Sequence, residues 1–200
     1  MRTRLLTVVI AGFLIGALAG AGLLVLSTGP LGPKIETSGK ALIGGPFNLI
    51  DQTGKPVTDR DFRGRHMLVF FGFTHCPDIC PAELQVMAAS LDQLGDKAKD
   101  VVPIFITLDP ERDTPEAMGA YVKNFGPEFV GLTGSPEAIA AVAKAYRVSY
   151  EKFQEKNSEN AYSIDHSALA YFMGKDGEYI THFAYGTSAD KITETLRRYL

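Results

Sequence analysis

Leu68-Val69-Phe70-Phe71-Gly72-Phe73-Thr74-His75-Cys76-Pro77-Asp78-Ile79-Cys80-Pro81 is the stretch on which the fold turns. Its apolar run reads as a strand buried on both faces. Beyond it, Leu84, Met87, Ala88, Leu91 and Leu94 recur at helical spacing. Pro81 suits the first helical position, where its missing N–H is no loss, so Cys80 is expected as the N-cap with Cys76 in the preceding loop. A buried strand thus delivers two thiols, the only cysteines of the 200-residue chain, to a helix N-terminus. Unpaired N–H groups and a partial positive charge at that terminus favour thiolate over thiol.

Elements on either side complete a pattern. Ile104–Leu108 reads as a second buried strand, and Phe129–Leu132 as a short third one. Thr114-Pro115-Glu116 and Ser135-Pro136-Glu137 each give a cap and a first-turn proline. Apolar stripes follow them: Met118, Tyr121, Val122 and Phe125, then Ile139, Val142, Ala143 and Tyr146. Val148–Phe153 reads as a strand and the polar Gln154–Asn160 as a loop or hairpin tip. Ala168–Met173 and Glu178–Ala184 are joined by Gly174-Lys175-Asp176-Gly177, a hairpin turn, and Ile192, Leu196 and Tyr199 mark a last helix. Ahead of everything, Phe47–Ile50 and Val57 flank Asp51-Gln52-Thr53-Gly54, another hairpin. A βαβ half followed by a ββα half is an α/β, thioredoxin-like fold, here with an N-terminal β-hairpin and an insertion, over residues 41–200.

The amino terminus is different. Leu5–Leu26 holds no charged residue and at about 1.5 Å per residue spans roughly 30 Å, a bilayer core. Arg2 and Arg4 ahead of it place the N-terminus in the cytoplasm and export the rest. Residues 1–26 are therefore expected as a single transmembrane anchor, and 27–40, rich in Gly, Pro, Ser and Thr, as a linker. A cleaved signal peptide ending near Ala17-Leu18-Ala19 is the alternative; Leu23-Leu24-Val25-Leu26 prolongs the apolar run past that point. The expected location is a bacterial inner membrane, with the domain in the periplasm. Formal charge is −3 for the chain and about −5 without the two leading arginines, spread without runs, which argues against nucleic acid as a partner. A purely structural disulfide is disfavoured, because two cysteines four apart close too short a loop to contribute much.

Four-residue spacing opens a wider mouth than the three of a redox C-x-x-C. Such a bite can embrace a metal ion, and a disulfide stays feasible after local adjustment. In this fold the loop before the ββα half abuts the helix start, and thioredoxin-like oxidoreductases place a cis-proline there. No proline follows Pro136; Asp165-His166-Ser167 stands at that place. An imidazole added to two thiolates makes a set of two sulfurs and one nitrogen, suited to copper. A lone histidine is ordinarily a satisfied loop residue; the position favours the ligand reading.

Together, Phe73–Pro81, Leu108-Asp109-Pro110-Glu111-Arg112-Asp113-Thr114-Pro115 and Asp165-His166 resemble the SCO/SenC family of copper chaperones over roughly Gly44–Leu200. The resemblance implies Cys76, Cys80 and His166 as ligands of copper, as Cu(I) and Cu(II). It also implies a partner in the CuA centre of cytochrome c oxidase subunit II or another copper-enzyme precursor. Such a protein is a metallochaperone and not an enzyme. The alternative is a thiol–disulfide oxidoreductase that reduces the oxidase's cysteines, with a periplasmic thiol–disulfide reductase as a further partner; a peroxidase is third, and the chain has no Trp.

Neighbouring groups carry lesser expectations. Asp78 is expected to bond a loop N–H or steer a partner. His75 is expected to point away from Cys80, Asp165 either to orient His166 or to serve the turn, and His182 to pack on a strand. Asp109, Glu111 and Asp113 mimic a calcium loop without its glycine or distal glutamate, and are expected to close the loop beside the cysteines and cap the next helix.

Overall fold

The computed structural model describes residues 42–154 and 162–200. The anchor, the linker and the greater part of the hairpin tip expected above lie outside these residues. Among the described residues, no helix is long and apolar enough to cross a membrane.

The described residues open with antiparallel strands β1 (Asn48–Asp51) and β2 (Pro56–Thr58). Next come β3 (His66–Gly72), helix α1 (Ile79–Leu94) and β4 (Val101–Thr107). Helix α2 (Pro115–Val122), β5 (Val130–Thr133) and helix α3 (Pro136–Ala145) follow. Then β6 (Tyr150–Gln154), β7 (Tyr162–His166), β8 (Leu169–Met173), β9 (Tyr179–Ala184) and helix α4 (Ala189–Arg197) complete it. Seven strands form one sheet in the order β2-β1-β5-β4-β3-β8-β9. β3, β4 and β5 run parallel, whereas β8 is antiparallel to β3 and β9 to β8. The core β4-β3-β8-β9 is the expected thioredoxin-like arrangement, with the N-terminal hairpin extending the sheet beyond β5.

Burial explains the centre. Every residue of β3 and β4 is buried, as befits parallel strands covered on both faces. α1 turns Cys80, Leu84, Met87, Leu91 and Leu94 inward and ends at Gly95, whose φ of 59° is a left-handed angle that suits glycine. α4 lies against α1: the Thr193 hydroxyl donates to Ser90 O (3.1 Å) and Arg197 to Gln93 O (2.6 Å). Thr114, Ser135 and Ser188 cap α2, α3 and α4 by accepting from the N–H three residues on.

One expectation changes. β6 and β7 pair with each other as a separate two-stranded sheet, Tyr150 opposite His166 and Gln154 opposite Tyr162. Asp165 and His166 are therefore strand residues at the base of an arm, not loop residues. Four of the five β6 residues are exposed, and Ile164 alone is buried in β7. A ladder with one buried side chain offers too little apolar alternation for its second strand to be recognised.

Candidate metal centre

β3 ends at Gly72 and α1 starts at Ile79, and the intervening turn sets both thiols. The Cys76 N–H donates to Phe73 O (3.2 Å), which folds the chain back. Asp78 is the N-cap of α1, with φ −138° and ψ −69°, and its side chain makes no capping hydrogen bond. The helix thus begins two residues before the expected start. Cys80 is its second residue and Pro81 its third, because every N–H of the first turn lacks an intrahelical partner and a proline is tolerated throughout it.

Cys80 is fully buried and Cys76 half-buried, and both are free thiols. Gly72 makes the close approach possible: a Cβ there would lie 2.6 Å from Cys80 Sγ and 2.9 Å from Phe105. The Cys80 N–H donates to Cys76 Sγ at 3.4 Å. From the other side of the sheet's end, His166 Nε2 stands 3.6 Å from Cys80 Sγ. The imidazole meets the rings of Phe70 and Phe73 edge-on, with centroids 6.1 and 6.2 Å away. Its Nδ1 lies 3.1 Å from Ser167 O. A carbonyl oxygen only accepts, so Nδ1 carries the hydrogen and Nε2 is the nitrogen free to ligate.

The two thiols are set in opposite states. A hydrogen bond from the Cys80 thiol, aided by the N–H groups of Cys80 and Asp78, holds Cys76 at a pKa of about 4 against the opposing effect of burial. Cys80 is pushed strongly upward, first by its bond to Cys76 and then by burial. Cys76 is therefore a thiolate at neutral pH and Cys80 its thiol partner.

This donor set fits a soft ion. Sulfur and nitrogen ligands about 2.3 and 2.0 Å from one ion, at an angle near 110–120°, lie about 3.5–3.7 Å apart, taking zinc–thiolate and zinc–imidazole lengths as a guide. The Cys80–His166 separation of 3.6 Å matches that span. Among the described residues no three acidic, histidine or cysteine side chains already stand close enough together to hold a metal ion. Binding one here would have to draw Cys76, Cys80 and His166 closer.

The chain has relatives among known proteins. The SCO1/SenC family profile matches residues 35–200. The chain belongs to this family. It is 41% identical over 197 residues to an SCO2-like protein of Rickettsia prowazekii, covering 95% of this chain and 94% of that one. It is 46% identical over 159 residues to the mitochondrial SCO1 homolog 1 of Arabidopsis thaliana, covering 79% of this chain. The match spans about half the length of the plant and human relatives, 47% and 54%. Among solved structures, ScoI of Bradyrhizobium japonicum with copper bound superposes with a TM-score of 0.73 at 44% identity, over 79% of this chain and 99% of that one.

For this SCO1/SenC chain, the structure places Cys76 and His166 each beside Cys80 and leaves the other candidates aside. His75 faces Thr74 (3.1 Å) and Asp113 (3.8 Å), with its side chain 56% exposed, as expected of a residue pointing away. Asp165 is exposed and gives His166 no hydrogen bond; the Ser167 carbonyl orients the ring instead. That partner is a backbone atom, which carries no signal in side-chain chemistry. His182 bonds the Tyr179 hydroxyl (2.5 Å) on β9 and belongs to that strand's packing. Asp113 accepts from the Thr74 N–H (3.0 Å) and hydroxyl (2.5 Å), so it does close the loop beside the cysteines, but the cap of α2 is Thr114.

Proposed function

We propose that this chain is a copper chaperone of cytochrome c oxidase assembly. It binds copper through Cys76, Cys80 and His166 and passes it to the CuA centre of subunit II or to another copper-enzyme precursor. The observation that carries the reading is Cys80 Sγ and His166 Nε2 standing one metal's width apart. Copper bound in the Bradyrhizobium relative supports the choice of ion. Two sulfurs and one nitrogen suit Cu(I), and also serve Cu(II). Cys76 is the accessible, already ionised ligand that meets the ion first; Cys80 yields its proton on closure. On delivery the half-buried Cys76 is the ligand an incoming thiolate or imidazole can displace. Residues 5–26 as an inner-membrane anchor place the domain in the periplasm beside a membrane-bound recipient, and confinement raises their effective concentration.

Titration of the reduced protein with Cu(I) and Cu(II) tests this. One copper per chain is expected, with tight binding lost in Cys76→Ser and in Cys80→Ser. Undiminished one-to-one binding in the double serine variant would sink the site.

A second reading rests on the Cys76 thiolate. Its low pKa beside a protonated Cys80 is the arrangement of a dithiol reductant. Cys76 would attack a target disulfide and release one target thiolate. Cys80, giving up its proton, would then displace the second and leave a Cys76–Cys80 disulfide. A reductase of this kind keeps its activity without His166, whereas a copper carrier loses affinity.

A further inference from the structure

We propose that Asp109, Arg112 and Tyr162 form a brace that positions His166, by bolting the β6–β7 arm to the same turn that holds the cysteine loop. This rests on the reading of His166 as a copper ligand. The arm needs such a device. It has little apolar burial of its own, with Ile164 at 4% exposure its buried residue and Phe153 49% exposed. At its base, backbone and hydroxyl bonds between Ser149 and Ser167 tie the two strands together without reaching the core. Its orientation must be set from outside.

The outside hold is the 109–113 turn. Asp109 is fully buried, and its carbonyl accepts from the Arg112 and Asp113 N–H groups (3.2 and 2.9 Å), which makes the turn compact. The Asp109 carboxylate accepts from the Tyr162 hydroxyl on one oxygen (2.7 Å) and from Arg112 Nε on the other. Arg112 lies over the Tyr162 ring, 3.8 Å from its centroid, and donates through Nη1 to Tyr162 O (3.2 Å). Tyr162 is thus gripped at hydroxyl, ring and carbonyl by two residues of one turn. Lys152, on the facing strand, adds an ion pair to Glu111 (2.8 Å) and stands 4.8 Å from the same ring. Planar stacking with a directed fork is a job for arginine that lysine does not do.

The same turn reaches the other half of the site. Asp113 takes hydrogen bonds from the Thr107 hydroxyl at the end of β4 and from Thr74, two residues before Cys76. Arg112 also lies 5.9 Å from the Phe73 ring, whose edge meets the His166 imidazole. One short segment therefore registers a ligand strand against a ligand loop, although none of its side chains is itself a ligand.

The test uses the full chain. Arg112→Gln and Tyr162→Phe are compared with wild type by ¹⁵N-histidine NMR of the metal-free, reduced protein. His166→Ala assigns the His166 signal among the four histidines. The expected result is a single sharp His166 signal in wild type that broadens or splits in both variants, while His66 and His182 stay put. Copper titration supplies the second readout. Arg112→Gln is expected to weaken binding about tenfold in the wild-type background and not at all in the His166→Ala background. An equal loss in both backgrounds, or an unchanged His166 signal, overturns the brace. If His166→Ala itself leaves copper affinity intact, the ligand reading falls instead, and the NMR signal alone decides the brace. Tyr162→Phe keeps the ring under Arg112 and removes one hydroxyl, so it reports even if Arg112→Gln does not fold.

Discussion

The two halves of the candidate metal centre are built on opposite principles. The cysteine half is an extension of the core: β3 is buried along its whole length, Cys80 is fully buried, and Gly72 leaves room for its sulfur and no more. The histidine half is an exposed two-stranded arm held by polar contacts to a neighbouring turn. Burial gives the first half its stiffness at no cost in specificity, because hydrophobic contacts are many and redundant. Directed hydrogen bonds give the second half its position, and each can be removed singly.

The contrast can be broken at its stiffest point. Cys80→Ser is expected to lower Cu(I) affinity by at least about a thousandfold, since an alcohol is a poor ligand for a soft ion; chelator competition measures it. Gly72→Val should do nearly as much without touching a ligand, because its side chain would collide with the Cys80 sulfur and the Phe105 ring. A Gly72→Val protein with wild-type affinity would show that the cysteine half yields more easily than its burial implies.

Thiol chemistry sharpens the same division. With Cys76 held at about 4 and Cys80 pushed far up, alkylation by iodoacetamide is expected only at Cys76. The rate should be flat from pH 6 to 8 and fall as pH drops through about 4, where the thiolate is protonated. Mass mapping of the modified peptide checks the site, and equal labelling of the two cysteines would overturn the assignment.

On the softer side, His166→Ala is expected to weaken copper binding by a factor on the order of 10², about 3 kcal/mol, while a model disulfide is reduced at an unchanged rate. Loss of both activities together would make His166 a partner of the thiols and not of the metal.

The smallest effect concerns the cysteine half alone. Glu83, three residues after Cys80, is 1% exposed, and burial raises its pKa to about 7. Its Oε1 has no hydrogen-bond partner. A carboxyl whose folded pKa lies above its unfolded value of 4.5 stabilises the fold fully below that value. That contribution is lost as pH rises from about 4.5 through 7. Melting temperature should decline over this window, by the equivalent of about 1–3 kcal/mol, and Glu83→Gln should flatten the decline. A variant with the wild-type slope would place the titration elsewhere.

How far the sequence could be read follows the same line. The Leu68–Phe73 run and the stripe of α1 are legible because burial writes itself as apolar periodicity. Both cysteines, and His166 before the ββα half, followed from that frame. Helix α1 began two residues early, because proline is tolerated throughout a first turn and does not mark its start. β7 was not legible, because its inward face carries Tyr162, Ile164 and His166, of which only one is aliphatic, and so shows too little apolar periodicity. The role of Asp109, Arg112 and Tyr162 was hidden for another reason: contacts 50 and 53 residues apart appear only when the chain is folded.

The separation of Cys80 and His166 along the chain, 86 residues, has a mechanical consequence. An ion held by both would act as a removable cross-link, closing a loop that includes helices α1 to α3, two strands of the main sheet and the β6–β7 arm. Bridges across loops of that length remove several kcal/mol of freedom from the unfolded chain, by about the same arithmetic as a disulfide. The cargo would then also be a staple, and handing it over would leave a looser, more protease-sensitive carrier. Emptiness would mark itself in the carrier's lifetime as well as in its ligand set.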